Sequence, residues 1–168
     1  MIDNLKEAFA TVESNACLET TREKVFEIVD DEVRKRSVMV KEGQFKVNNP
    51  QQKLIHFLAV DSCVFSDSDG SRCDCMVFDE VTCCFIELKS CKNKNEPKHR
   101  QKAKEQLKTT IEFLKEKIDL SLVGLEAYIC IACTPASIKP RIENMNAIAE
   151  FAEKLDTKLR YGCEKVFE

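Results

Sequence analysis

Thr82-Cys83-Cys84-Phe85-Ile86-Glu87-Leu88-Lys89 decides how the rest of this chain is read. Its apolar run, Cys83 to Ile86, follows the polar pair Asp79-Glu80 and reads as a buried strand. Side chains two apart on a strand share a face. Glu87 and Lys89 therefore project together, while Ile86 and Leu88 turn the other way into packing. An acid and an amine leaving an apolar strand on one face suit chemistry on a phosphodiester.

Working outward, Cys73 to Phe78 reads as the strand before it, with Asp74 near its start. Lys53 to Phe65 reads as a strand before that, and Ser66-Asp67-Ser68-Asp69-Gly70-Ser71 between them is a turn by composition. Short polar connections make these three strands an antiparallel meander. Downstream, Asn93 to Pro97 opens a long helix, since proline is tolerated in a first turn. Ala103, Leu107, Thr110, Ile111, Leu114 and Ile118 form its inward stripe. Glu126 to Cys133 is a buried strand ended by Pro135. A helix follows from about Pro140 to Asp156, with Ile142, Met145, Ile148, Ala149, Ala152 and Leu155 inward. Lys158 to Phe167 reads as the last strand.

Upstream, Leu5, Ala8, Phe9 and Val12 predict a short helix over residues 3–13. Thr20 and Glu23 fit a capping box, and Val25, Phe26, Val29 and Val33 extend it into a helix from about Thr21 to Arg36. Gly43 and Asn48-Asn49-Pro50 mark turns. The order is helix, helix, three strands, helix, strand, helix, strand. That is an α/β fold, a mixed sheet flanked by helices on both faces.

With 168 residues the chain suits one domain, spanning 1–168. A net charge of −3 excludes global basicity as a signal for nucleic acid. The distribution says more. Lys89, Lys92, Lys94, Lys98, Arg100, Lys102, Lys104 and Lys108 face only Glu96 and Glu105 in the stretch after the acid–amine pair. Such a segment either attracts a phosphate backbone or is a solvated helix face. Met1 to Glu13 carries Asp3, Lys6 and Glu7 without a long apolar stretch, so no signal peptide and no membrane span is expected. A reducing cytoplasm follows, with most of the ten cysteines as free thiols.

Cleaving a phosphodiester builds negative charge on phosphoryl oxygens and needs a better nucleophile than bulk water. Mg²⁺ addresses both. It takes oxygen ligands and commonly uses one or two protein carboxylates. Asp74 and Glu87 on neighbouring strands can supply those, with the Leu88 carbonyl as a third oxygen. Lys89 can orient the attacking water or meet developing charge.

Asp74, then Glu87-Leu88-Lys89, then a basic helix, resembles the PD-(D/E)XK nuclease superfamily, in particular its small stand-alone bacterial members. The resemblance covers Thr21 to Cys133. It implies a restriction-endonuclease-like core and a metal-dependent nuclease, with Asp74 and Glu87 as the acids and Lys89 as the lysine. Gln106 on the following helix matches a glutamine that some branches add. A Glu on the first core helix falls on Glu27 or Glu32. Cys73 stands where many members carry proline. The resemblance implies Mg²⁺ or Mn²⁺ as cofactor and nucleic acid, most readily DNA, as substrate. Restriction, phage defence and repair all fit. Lys92, Lys94, Lys98, Arg100 and Lys102 are then candidate backbone contacts, which position without selecting sequence. Little surface remains for target recognition, so a partner protein or a homodimer is expected.

Each feature also has a plainer reading. Glu87 and Lys89 can be a strand-edge ion pair, Asp74 the end of a turn, and Gln106 a surface amide. The same fold can serve as a binding module without catalysis. His56 reads as a partly buried, satisfied histidine. Asp61, Asp67 and Asp69 lack the spacing and closing Glu of an EF-hand loop. The cysteines lack the close pairs on turns that structural zinc takes.

Overall fold

The computed structural model describes residues 1–61, 63–65, 71–90, 96–132 and 142–168. The expected turn at 66–70, Lys92, Lys94, Cys91, Cys133, Pro135 and the start of the last helix at Pro140 lie outside them. The strand quoted first is β7 (Thr82–Ser90), and it sits inside a six-stranded sheet. Its partners in chain order are β1 (Leu18–Thr21), β5 (Ile55–Ala59), β6 (Cys75–Phe78), β8 (Gly124–Ala132) and β9 (Thr157–Tyr161). The sheet runs β1-β5-β6-β7-β8-β9. β5, β6 and β7 form the antiparallel meander expected of them. β8 and β9 then add parallel to β7, so the sheet is mixed.

The parallel additions require crossovers, and helices supply them. α3 (Glu96–Lys117) connects β7 to β8 and packs on both; α4 (Ile142–Leu155) packs on β9 and α3. Pro97 lies in the first turn of α3, where its missing N–H costs nothing. The predicted stripe of Ala103, Leu107, Thr110, Ile111, Leu114 and Ile118 is buried in full.

The region after β1 departs from expectation. No helix spans Thr21 to Arg36. The chain forms β2 (Val25–Asp31) and β3 (Arg36–Val40), then β4 (Phe45–Asn48). Phe26 and Ile28 point inward at strand period, whereas Val33 is 92% exposed in the turn between β2 and β3. That turn is set by Asp31, whose carboxylate accepts hydrogen bonds from the backbone N–H groups of Val33 (2.9 Å) and Arg34 (3.1 Å). Lys35 completes it at φ 53°. Val25, Phe26, Val29 and Val33 happen to have helical spacing, but β-branched residues favour a pleated surface. Thr20 pairs with His56 across β1 and β5, so it caps nothing.

β2, β3 and β4 join β10 (Glu164–Val166) in a second sheet, ordered β10-β4-β2-β3. The expected last strand therefore splits at Gly162: β9 belongs to one sheet and β10 to the other. The second sheet covers the face of the large sheet opposite α3. Phe45 of β4 meets Tyr128 of β8 edge to face at 5.2 Å. A disulfide between Cys130 of β8 and Cys163 pins the crossing. Among the described residues, then, helices on both faces are replaced by α3 and α4 on one face and a sheet on the other.

The N-terminal helix is two short pieces, α1 (Ile2–Ala8) and α2 (Thr11–Ser14). They anchor through Phe9 against Phe113 of α3, at 5.9 Å between ring centres. α4 is rotated from expectation. Asn144, Ala147, Phe151 and Leu155 face inward, while Met145 is 61% and Ile148 41% exposed. Phe151 has the most apolar surface to hide, and it sets the face. No helix among the described residues is long and apolar enough to cross a membrane.

Candidate functional site

β7 alternates as its sequence demands. Cys83, Phe85, Glu87 and Lys89 face α3; Cys84, Ile86 and Leu88 face the second sheet. At the C-terminal end of the strand this delivers Glu87 and Lys89 to the space under the start of α3. Glu87 has no exposed surface. Its Oε1 closes on the Lys89 ammonium. Apart from that ion pair, neither carboxylate oxygen receives a hydrogen bond among the described residues.

Asp74 arrives from the lead-in to β6. Its backbone N–H donates to the Ile86 carbonyl (3.2 Å), and its Oδ2 accepts from the Leu88 N–H (2.5 Å). The N–H and C=O of a strand residue leave the backbone on the same side. The Leu88 carbonyl thus opens toward the gap where β6 begins, beside the Asp74 carboxylate. Gln106 reaches the same place from α3. Its Oε1 accepts from Lys89 Nζ (2.9 Å), and its Nε2 donates to the Arg72 carbonyl (2.6 Å). Asp74, Glu87, Lys89 and Gln106 are thus brought together.

Electrostatics set these groups apart from ordinary surface charges. Burial pushes the Glu87 carboxyl well above its usual range, and repulsion from Asp74 adds to this, against the pull of Lys89. Asp74 is raised to about 7, again chiefly by burial, opposed by the Leu88 hydrogen bond and Lys89. Two more acids contribute. Asp30 on β2 is raised by burial and then by Asp61, and the Lys89 charge acts on it as well. Asp61, just after β5, binds the Arg72 guanidinium (Nε to Oδ1, 2.6 Å). Asp30 was illegible in the sequence, because β2 reads there as a helix. Asp61 was visible only as a loose acidic cluster with Asp67 and Asp69, which lie outside the described residues.

A hard divalent cation takes oxygen donors, and its binding would displace the protons that burial favours on Asp74 and Glu87. A buried carboxylate with a bare oxygen, a second acid held protonated by burial up to about 7, and a backbone carbonyl facing the same gap suit Mg²⁺ or Mn²⁺. Among the described residues no group of three His, Cys, Asp or Glu side chains is placed to hold a metal ion. A cation here would complete its shell with the carbonyl and water, as Mg²⁺ commonly does.

The other expected residues fare differently. Glu27 and Glu32 are not on a helix; Glu27 accepts from the Gly43 N–H (2.6 Å) in the second sheet, and Glu32 lies in the β2–β3 turn. Lys98 and Lys102 are exposed on α3, and the Lys102 charge acts on Glu87. Arg100 lies over the Tyr161 ring, 5.5 Å from its centre. His56 is buried and stacks on Phe78 at 5.1 Å, but its Nδ1 has no hydrogen-bond partner among the described residues, unlike the satisfied histidine expected.

The cysteines also correct expectation. Among the described residues Cys17–Cys63 and Cys130–Cys163 are disulfides, and Cys73, Cys75, Cys83 and Cys84 are buried free thiols. Cysteine usage therefore no longer argues for a reducing compartment. No family model, no curated protein and no solved structure matches this chain.

Proposed function

We propose that this chain is a metal-dependent nuclease of the PD-(D/E)XK type, built on a restriction-endonuclease-like core and hydrolysing phosphodiesters of nucleic acid, DNA first. The observation that carries the reading is Glu87: a fully buried carboxylate with a bare oxygen, beside a second raised acid and an amine. A carboxylate in that setting is costly unless something positive completes it.

Asp74 and Glu87 are the residues that would hold Mg²⁺ or Mn²⁺, with the Leu88 carbonyl beside them. When bound, the ion supplies Lewis acidity and a water that ionises near neutral pH. The chain's own residues do the rest. Lys89 carries three donors; one lies on Glu87 and one on Gln106, which leaves a third for a phosphoryl oxygen or water. Gln106 holds the ammonium in place. Lys98 and Lys102 on the exposed side of α3 attract the phosphate backbone. Restriction, phage defence or repair, with a partner protein or a second copy supplying target choice, are the settings this activity fits.

A second reading draws on a different observation. The Lys89 ammonium is already engaged by Glu87 and Gln106, as it would be in a nuclease-like module that binds nucleic acid or a partner without cutting it. One experiment separates the two. Plasmid DNA is incubated with the protein and Mg²⁺ or Mn²⁺, beside Glu87→Ala and Lys89→Ala. Metal-dependent cleavage lost in both folded variants supports the enzyme. Binding without cleavage that survives both changes supports the module.

A further inference from the structure

We propose that Thr110 is a positioning residue for the acid–amine site, acting with Gln106 to clamp the single peptide unit between Arg72 and Cys73. The inference rests on the reading of the site as a divalent-cation centre.

Thr110 sits in the inward stripe of α3 and is completely buried. A threonine within a helix ordinarily returns its hydroxyl hydrogen to the carbonyl one turn back. Thr110 does so, donating to the Gln106 carbonyl at 2.8 Å. Its oxygen has a second use. It accepts a hydrogen bond from the Cys73 backbone N–H at 2.8 Å, across 37 residues of chain. One turn earlier on the same helix, the Gln106 side chain donates to the Arg72 carbonyl at 2.6 Å.

The Arg72 C=O and the Cys73 N–H are the two poles of one planar peptide. With both poles held from α3, that plane cannot rotate about the chain axis. The next residue is Asp74, whose own N–H is fixed on the Ile86 carbonyl. The clamp therefore sets where the Asp74 carboxylate enters the gap beside Leu88. Because Gln106 also holds Lys89, one helix turn spaces the acid on the β6 lead-in from the amine on β7. Valine has nearly the shape of threonine but neither donates nor accepts, so Thr110→Val releases one pole and leaves the packing.

The test is calorimetric titration with Mn²⁺ of the full chain and of Thr110→Val, Thr110→Ser and Asp74→Asn, with thermal unfolding run on each. Thr110→Val is expected to weaken Mn²⁺ affinity about tenfold, the usual scale for groups that orient a metal ligand. Thr110→Ser, which keeps the hydroxyl and loses a methyl, is expected to bind as the unaltered chain does, even where its unfolding temperature falls. Thr110→Val binding Mn²⁺ normally, or Thr110→Ser losing as much affinity as Thr110→Val, overturns the clamp and leaves Thr110 a packing residue. An unaltered chain that takes up no Mn²⁺ overturns the cation reading and the clamp together. If Thr110→Val does not fold, hydrogen exchange at the Cys73 amide of the unaltered chain decides. Slow exchange is expected there, and exchange at the rate of a free chain overturns the clamp.

Discussion

The Asp74 carboxylate accepts a hydrogen bond from the Leu88 backbone N–H at 2.5 Å. A side chain thus takes the place of the backbone carbonyl that a continued antiparallel ladder would offer there. The substitution brings an acid to the strand end that carries Glu87 and Lys89. It also takes that acid out of water.

That burial has a pH consequence. Asp74 is raised from 3.8 to about 7, so the folded chain keeps a proton that the unfolded chain releases. Stability from this group is present in full below about pH 4 and is lost as pH rises toward about 7, in total up to about 4 kcal/mol. In metal-free buffer, Asp74→Asn retains the Leu88 hydrogen bond through its amide oxygen and removes the titration. Urea unfolding at pH 5 and pH 8 is expected to show a smaller loss for Asp74→Asn and higher stability at pH 8. An unchanged pH slope would contradict the buried position of this carboxylate.

Glu87 and Lys89 are coupled, so changing one alone is expected to cost more than changing both. Lys89→Met leaves a fully buried carboxylate without its cation, a loss on the order of 3–5 kcal/mol for a broken buried pair. Glu87→Gln combined with Lys89→Met is expected to recover most of that. A double-mutant cycle by chemical unfolding gives the coupling directly. Additive losses would show that the pair does not interact.

The rotation of α4 is tested by two substitutions fewer than two turns apart on different faces of the helix. Phe151 is buried at 2% exposure and Met145 is 61% exposed. Phe151→Ala is expected to cost about 3–5 kcal/mol, the range for truncating a buried ring. Met145→Ala is expected to stay within about 0.5 kcal/mol, as surface changes do. The reverse order would restore the stripe through Met145 and Ile148.

The two disulfides among the described residues close loops of 46 and 33 residues' separation. Each is expected to contribute about 2–4 kcal/mol by restricting the unfolded chain. Peptide mapping without reductant should recover Cys17 joined to Cys63 and Cys130 joined to Cys163, and reductant should lower the unfolding temperature. Free thiols at all four positions in the protein purified without reductant would refute the bridges.

β7, α3 and β8 were legible from the chain because their patterns are long and of one period. The run from Cys83 to Lys89 and the stripe from Ala103 to Ile118 admit one secondary structure each. β2 and β3 were not legible. Their valines fit two periods at once, and only the pairing of β2 with β3 and β4 selects the strand. α4 was read as a helix but on a turned axis, since several of its small apolar residues suit either face and Phe151 needs a pocket the sequence does not show.

The order of residues alone determined that Glu87 and Lys89 share a face, because alternation along a strand is a local property of the backbone. It determined likewise that Gln106 lies beside the buried stripe of α3. Tertiary structure decided everything that depends on chain meeting chain. The arrival of Asp74 at Leu88, the grip of Gln106 and Thr110 on Arg72 and Cys73, and the approach of Asp30 from the second sheet all follow from register and packing across long separations. The charge state of the site belongs to that level too, since burial is fixed by what the rest of the molecule places around a carboxylate, and no pattern of neighbours in the chain specifies it.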